Sequence, residues 1–411
     1  MKKSIINFLL LSLVITVFCP SAFAWNDVGH KLTAYIAWQR MSPAARENVI
    51  KILLKAPEDS DLSVFYPQDS RSTAARQREL FMIAACWADI IRDRDFPMRY
   101  KYHHGNWHYS DTFWTQEKNG QVKILENPNE EGGKAVEQLF AAEKTLRNPS
   151  ASDAEKAIAI AWFLHLSGDI HQPLHTSARV TDLEPKGDQG GNTFLLTPKN
   201  TPREDQMNLH WFWDSIVNRV VTRKDDAADS AFLPPIAEQM MKKYPFAKTQ
   251  NRLNLGKFDE WQKENFAVAT KEVFPSTLVR EQMPSKQYVN NAFRISEEQI
   301  ALAGYRIGEM LNAIFGGSQT TAFADAENNI PCKIIRKVPY PVTKTNPSNS
   351  KQEIALLNLC PPNKGMAARP MTSFMIKGAT KMFEYDVEQV FKNAQDARDY
   401  AAKNGVKDVS F

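Results

Sequence analysis

Long apolar runs are nearly missing from this 411-residue chain. The one that stands out, Ile5 to Phe18, is too short and wrongly flanked to span a membrane stably. It sits between Lys2-Lys3 and Ser21-Ala22-Phe23-Ala24, the order of a basic leader, an apolar segment and an A-x-A cleavage site. Residues 1–24 therefore read as a signal peptide, with cleavage at Ala24–Trp25 and an exported product, periplasmic or secreted, that has no transmembrane segment. Cys19 follows the bulky Phe18, which argues against a lipidation site. Charge of one sign is lacking too. Removing Lys2 and Lys3 takes the basic count from 51 to 49 against 47 acidic residues, too slight an excess to argue for nucleic acid by itself. Cysteine is scarce. Cys86, Cys332 and Cys360 remain after cleavage, and in an exported chain the last two are natural disulfide partners. Cys86 lies in an apolar helical pattern and reads as a buried thiol. No internal repeat is present, and no stable protein partner is evident. Histidine is absent from the last 201 residues; all eight fall between His30 and His210.

What the chain does have is concentrated in Ala161 to His175, AWFLHLSGDIHQPLH. Ser152 with Glu155 three residues on forms a capping-box pattern that starts a helix. Ile158, Ala161, Trp162, His165 and Asp169 then share one face, so an imidazole and a carboxylate stand one turn apart on an apolar stripe. Burying both is costly unless something satisfies them. A hydrogen-bonded pair in a helical core would do so; a zinc ion would do so as well. His175 follows a turn at Pro173 and can swing back toward the pair. His210 and Asp214 repeat the same i, i+4 spacing, with Asn208 as the cap of their helix.

The rest of the chain reads as helices. Periodicity and caps predict them over Trp25 to Met41, from Ser42-Pro43 to about Ala56, through Leu80, Ile83, Ala84, Trp87 and Ile91, and over Gly132 to Arg147. Further ones follow at about Ala231–Lys243, Phe258–Val273 and Gln287–Phe315, the last ended by Gly316-Gly317. Asn106 to Asp111 reads as an extended piece or a turn, and Thr176 to Gln206 as a long polar loop, a feature that is usually functional. Beyond about residue 318 the composition changes. Cys332–Val338 and Glu353–Cys360 look like two strands, and Val387, Val390, Phe391, Ala394 and Ala397 suggest a last helix. Residues 25–318 thus form a mainly α domain, and 319–411 a small α+β extension stapled by Cys332–Cys360.

His30, His108, His165, His171, His175 and His210, with Asp89, Asp169 and Asp214, exceed what one zinc site needs. A multinuclear site accounts for them most economically; scattered structural histidines are the alternative. These residues stand in Trp25 with Gly29-His30, Ala88-Asp89-Ile90-Ile91-Arg92, and Trp107-His108-Tyr109-Ser110-Asp111. They continue in His165 through His175, Gly190-Gly191-Asn192, and His210-Trp211-Phe212-Trp213-Asp214. In order and approximate spacing the set resembles the trinuclear-zinc single-strand nuclease and 3′-nucleotidase family, whose fold is related to bacterial zinc phospholipase C.

That resemblance implies an all-helical domain with a zinc cleft and three Zn²⁺ per chain. It assigns one zinc to Asp89, His108, His165 and Asp169. A second goes to the Trp25 α-amine and carbonyl, His30 and a bridging Asp169, and a third to His175, His210 and Asp214. His171 falls outside the ligand set. Asp111 resembles the carboxylate that orients or deprotonates the attacking water, and Arg92 the cation that meets the phosphate; without the resemblance, an i, i+3 surface ion pair is the lesser alternative for Asp89 and Arg92. Tyr109 and Asn192 are candidates for stacking on and hydrogen-bonding a base. The implied substrates are single-stranded nucleic acid and 3′-nucleotides, giving 5′-phosphorylated products. A phospholipase C acting on phospholipid head groups is the alternative, disfavoured because Asp214 stands where that group typically has glutamate. A zinc-sequestering protein is a third option, and it would leave Asp111 and Arg92 unexplained.

Overall fold

The computed structural model describes residues 25–93, 96, 98–126, 132–223 and 228–316, and the backbone of 332–337, 357–359 and 385–391. Residues 1–24, read above as a signal peptide, lie outside the described residues. Helices dominate. The first, α1 (Asp27–Arg40), begins where the Asn26 side chain accepts from the Gly29 N–H. The next, α2 (Pro43–Leu53), has the expected Ser42 cap and proline in its first turn, and α3 (Thr73–Ala84) is capped by Ser72. Two short helices, α4 (Trp87–Ile90) and α5 (Arg99–Tyr102), precede α6 (Ala135–Arg147). The central helix, α7 (Asp153–Asp169), starts in the Ser152/Glu155 capping box. Then come α8 (Leu209–Asp214), capped by Asn208, α9 (Ile216–Val220), α10 (Asp229–Lys243) and α11 (Phe246–Thr249). A wide turn over Ala269–Val273 extends α12 (Phe258–Val268), and α13 (Lys286–Phe315) closes the domain.

Burial explains the arrangement. The C-terminal half of α7, from Ile160 to Asp169, is buried on every side, because α1, α2, α6 and α13 all pack on this helix. Trp87, Trp114, Trp213 and Trp261 are fully buried, and each such side chain is worth about 1.5–3 kcal/mol in burial. Their indole N–H groups are satisfied by Ser60 O, Ser177 Oγ, Tyr288 Oη and Leu253 O at 2.8–2.9 Å, which avoids the cost of a buried orphan donor.

Sequence reading missed a small sheet. Strand β1 (Thr112–Gln116) pairs antiparallel with β2 (Val122–Ile124) and parallel with β3 (Ser177–Arg179). Strands of three to five residues are too short for alternation to show, and β3 lies in the stretch read as loop. The sheet matters for function because Thr112 opposite Ser177 sets the segment after His108 beside the one after His175.

In the extension, β4 (Cys332–Lys337) pairs with β5 (Leu357–Leu359) and with β6 (Tyr385–Phe391), both antiparallel. The two expected strands are present. The expected last helix is not found over Val387–Phe391, which is strand; the remainder, through Ala397, lies outside the described residues. Val387, Val390 and Phe391 suit a strand at least as well as a helix, and pairing to β4 supplies the backbone bonds that decide between them. Cys360, the second member of the expected disulfide, lies outside the described residues. Cys86 is a buried free thiol, as read from the sequence.

Candidate metal centre

Helix α7 delivers His165 and Asp169, both fully buried. His165 Nδ1 donates to the Ala85 carbonyl at 2.7 Å, so Nε2 carries the lone pair and turns to Asp169 Oδ2 at 3.3 Å. The same device recurs. His175 Nδ1 donates to His108 O at 2.6 Å and His210 Nδ1 to Gly190 O at 2.7 Å. A carbonyl holding the far nitrogen fixes the ring and leaves the near one basic, the usual support of a metal-ligating imidazole.

Two groups of ligand atoms result. Around Asp169 lie His30 Nε2 (3.3 Å from Oδ1) and His108 Nδ1 (3.3 Å from Oδ2), with Asp89 Oδ1 at 3.8 Å from both His108 and His165. Around Asp214 lie His175 Nε2 at 3.6 Å and His210 Nε2 at 3.4 Å. Trp25 is buried, and the N–H of the next residue, Asn26, donates to the Asp214 carbonyl at 3.1 Å, which brings the start of the domain to the second group.

The donor set fits metal. Two atoms on a tetrahedral zinc at about 2.0–2.1 Å are about 3.3–3.4 Å apart, close to most of these spacings. His30 Nε2, both Asp169 oxygens, His175 Nε2, His210 Nε2 and Asp214 Oδ2 are buried without a hydrogen-bond partner. Orphaned acceptors at that density are rare without an ion. The electrostatics of the protein groups alone point the same way. Burial pushes His108 down to about 4. Burial also opposes His175, but Asp214 facing it and the charge of Asp169 raise it to about 9. Asp169, against its burial, is held well below the carboxylate range by His165 and by the His108 and His30 rings that face it. A cation bound here would keep the carboxylates ionised and the imidazoles neutral.

The close approach of α1 and α7 depends on Gly168. A Cβ there would lie 2.7 Å from His30 Nδ1, and the His30 and His165 rings stack at 4.0 Å between centroids. Gly168→Ala is expected to destabilise the chain by about 1–3 kcal/mol, the range for overpacking, and to displace His30. Thermal denaturation with a parallel metal analysis checks this; an unchanged Tm with full metal content would reject it.

Arg92 does pair with Asp89 (Nη1–Oδ1 2.9 Å), but both side chains are mostly buried, so this is not the surface pair that the spacing also allowed. Asp111 is held by its neighbours. The Ser110 N–H donates to His175 O at 2.9 Å, the Asp111 N–H to Gly132 O at 2.7 Å and the Thr112 N–H to Thr176 O at 2.9 Å. Its Oδ1 is buried without a hydrogen-bond partner. Burial, reinforced by the charge of Asp188, raises this carboxyl well above its usual range. Tyr109 is half-buried, next to His108. Asn192, half-buried, donates to Gln189 O at 2.8 Å and accepts from Asn208 at 3.4 Å. His171 belongs to neither ligand group. It donates to Ser167 O and accepts from the buried Arg306, both at 2.6 Å.

Two supporting residues carry no spacing signal in the sequence. Gln172 donates to Asp214 Oδ1 and accepts from the Leu174 N–H, both at 2.6 Å, so it orients the candidate ligand carboxylate. Asp188 accepts from the Arg179 N–H at 2.9 Å and clips the turn Gln189-Gly190-Gly191, all at positive φ. A Cβ on Gly190 would meet Leu174 O at 2.4 Å, and this turn carries the carbonyl that orients His210. Carboxylates and amides that hold other groups have no spacing pattern of their own, so only their burial gives them away.

The chain is 22% identical over 326 residues to Endonuclease 2 of Arabidopsis thaliana, an alignment covering 74% of this chain and 96% of that protein. The family described as S1/P1 Nuclease matches residues 25–316, a stretch that holds every candidate ligand. By that match across most of its length, a mainly helical chain with clustered His/Asp ligand groups belongs to the S1/P1 nuclease family.

Proposed function

We propose that the chain is an exported, zinc-dependent phosphodiesterase and phosphomonoesterase. It hydrolyses single-stranded DNA and RNA to 5′-phosphorylated products and removes the 3′-phosphate of 3′-nucleotides. The observation that carries this is the set of orphaned, buried donor atoms around Asp169 and Asp214, beside Arg92 and Asp111. Asp89, His108, His165 and Asp169 would hold one zinc; Trp25, His30 and Asp169 a second; His175, His210 and Asp214 the third. When bound, zinc neutralises an anionic phosphodiester and makes a nucleophile of water at neutral pH.

The chain's own residues do the rest. Asp111 orients the attacking water and takes its proton. Its raised proton affinity means that the cations around it decide when it is ionised. Arg92 matches its planar fork to phosphate oxygens and is aimed by Asp89. Tyr109 stacks on a base and Asn192 hydrogen-bonds it, which suits unpaired strands. Ligation by the Trp25 α-amine requires cleavage at Ala24–Trp25, and the basic and apolar leader of residues 1–24 supports export.

The test is phosphate release from 3′-AMP by protein beginning at Trp25, with and without EDTA. Release that EDTA abolishes and added zinc restores is the expected result. No release from zinc-loaded protein, with cleavage of phosphatidylcholine instead, would transfer the site to phospholipid head groups.

A further inference from the structure

The Asp89–His108 edge of the centre carries more positive charge than the ligands and Arg92 account for. Arg99, in the first turn of α5, folds back so that its Nε donates to the Arg92 carbonyl at 2.9 Å. Arg92 in turn reaches Asp89. His103, at the end of α5, lies with its ring 6.4 Å from that of His108. Two arginines and an imidazole are therefore grouped on this edge, both arginines close enough for their charges to act on His103. Burial and the charges of Arg99 and Arg92 hold His103 down to about 4, so the cationic character comes from the arginines.

Several other cations of the domain are paired with acids. Lys31 is paired with Asp27 and Asp229, Arg71 with Asp69 and Glu79, and Lys101 with Asp59. Among the described residues no acid pairs with Arg99. Its Nε is committed to a backbone carbonyl, which braces the plane and leaves both Nη groups for a bidentate acceptor. Asp89 offsets the charge of Arg92, and a phosphate reaching Arg99 would offset the second cation.

We propose that Arg99 forms an outer phosphate subsite, holding the backbone phosphate next along a strand from the one at Arg92. The ligand class is a polynucleotide rather than a mononucleotide, and the proposal rests on the nuclease reading above. A 3′-nucleotide has no second phosphate to offer Arg99; a strand has one at every step.

The experiment compares zinc-loaded wild type, Arg99→Gln and Arg99→Lys on poly(dT) and on 3′-AMP across a KCl series. In R99Q, kcat/KM on poly(dT) is expected to fall at least about fivefold more than on 3′-AMP, the scale of one charge-assisted contact. The slope of log(kcat/KM) against log[KCl] on poly(dT) should become shallower by about 0.7, the increment for one phosphate contact to a single strand. R99K keeps the charge and should keep the slope. Equal losses on both substrates would mean that Arg99 only braces Arg92, and would overturn the proposal; so would an unchanged slope in R99Q or a shallow one in R99K. A wild type that cleaves neither substrate overturns the nuclease reading itself, and is recognised before any variant is compared.

Discussion

Asp169→Asn is expected to strip metal from the Asp169 group and to lower hydrolysis of 3′-AMP on the order of a thousandfold, the scale on which a principal charge-stabilising group is lost. The reason is geometric. One carboxylate faces His30, His108 and His165, each at 3.3 Å. An amide keeps the shape and removes the charge. The variant should also be less stable than wild type after EDTA treatment, by about 3–5 kcal/mol, the cost of breaking a buried charge pair. The sign of its pH dependence is fixed. The folded pKa of Asp169 is depressed, by His165 and the other two imidazoles that face it, working against burial. Its contribution is therefore present above the unfolded value of about 3.9 and is lost as the pH falls below it. Metal analysis, kinetics and denaturation at neutral and acid pH measure all three effects. Wild-type metal content in D169N would remove the carboxylate from the centre.

Asp111→Asn should separate chemistry from metal binding. A fall in kcat of about a hundred- to ten-thousandfold is expected, the range for removing a general base. Metal content and fold should stay close to wild type, because Asp111 belongs to neither ligand group and its segment is held by backbone bonds. Retention of kcat would assign the proton transfer elsewhere. Loss of metal along with kcat would make Asp111 a ligand.

The local half of this site was legible in the sequence. His165 with Asp169 and His210 with Asp214 are i, i+4 pairs, and helical periodicity alone puts each pair on one face. Caps were equally legible, because Ser152/Glu155, Ser42-Pro43 and Asn208 act within one turn of themselves. The sheet was not, since three-residue strands carry no period and β3 exists only because β1 lies beside it. The strand over Val387–Phe391 shows the same limit. Its residues tolerate either conformation, and a partner strand 50 or more residues away chose between them.

Composition, motif order and helical period determined the class of domain, the ligand types and the two histidine–carboxylate pairs. Tertiary structure decided which histidines gather around Asp169 and Asp214. His30 reaches Asp169 because Gly168 lets two helices touch, whereas His171, six residues from His165, turns to Arg306 instead. It also supplied Gln172, Asp188 and Arg99, residues that act by holding or flanking others. Helical spacing is a property of consecutive residues. Which distant group a side chain meets is set by how whole helices pack, and no short stretch of sequence encodes that alone.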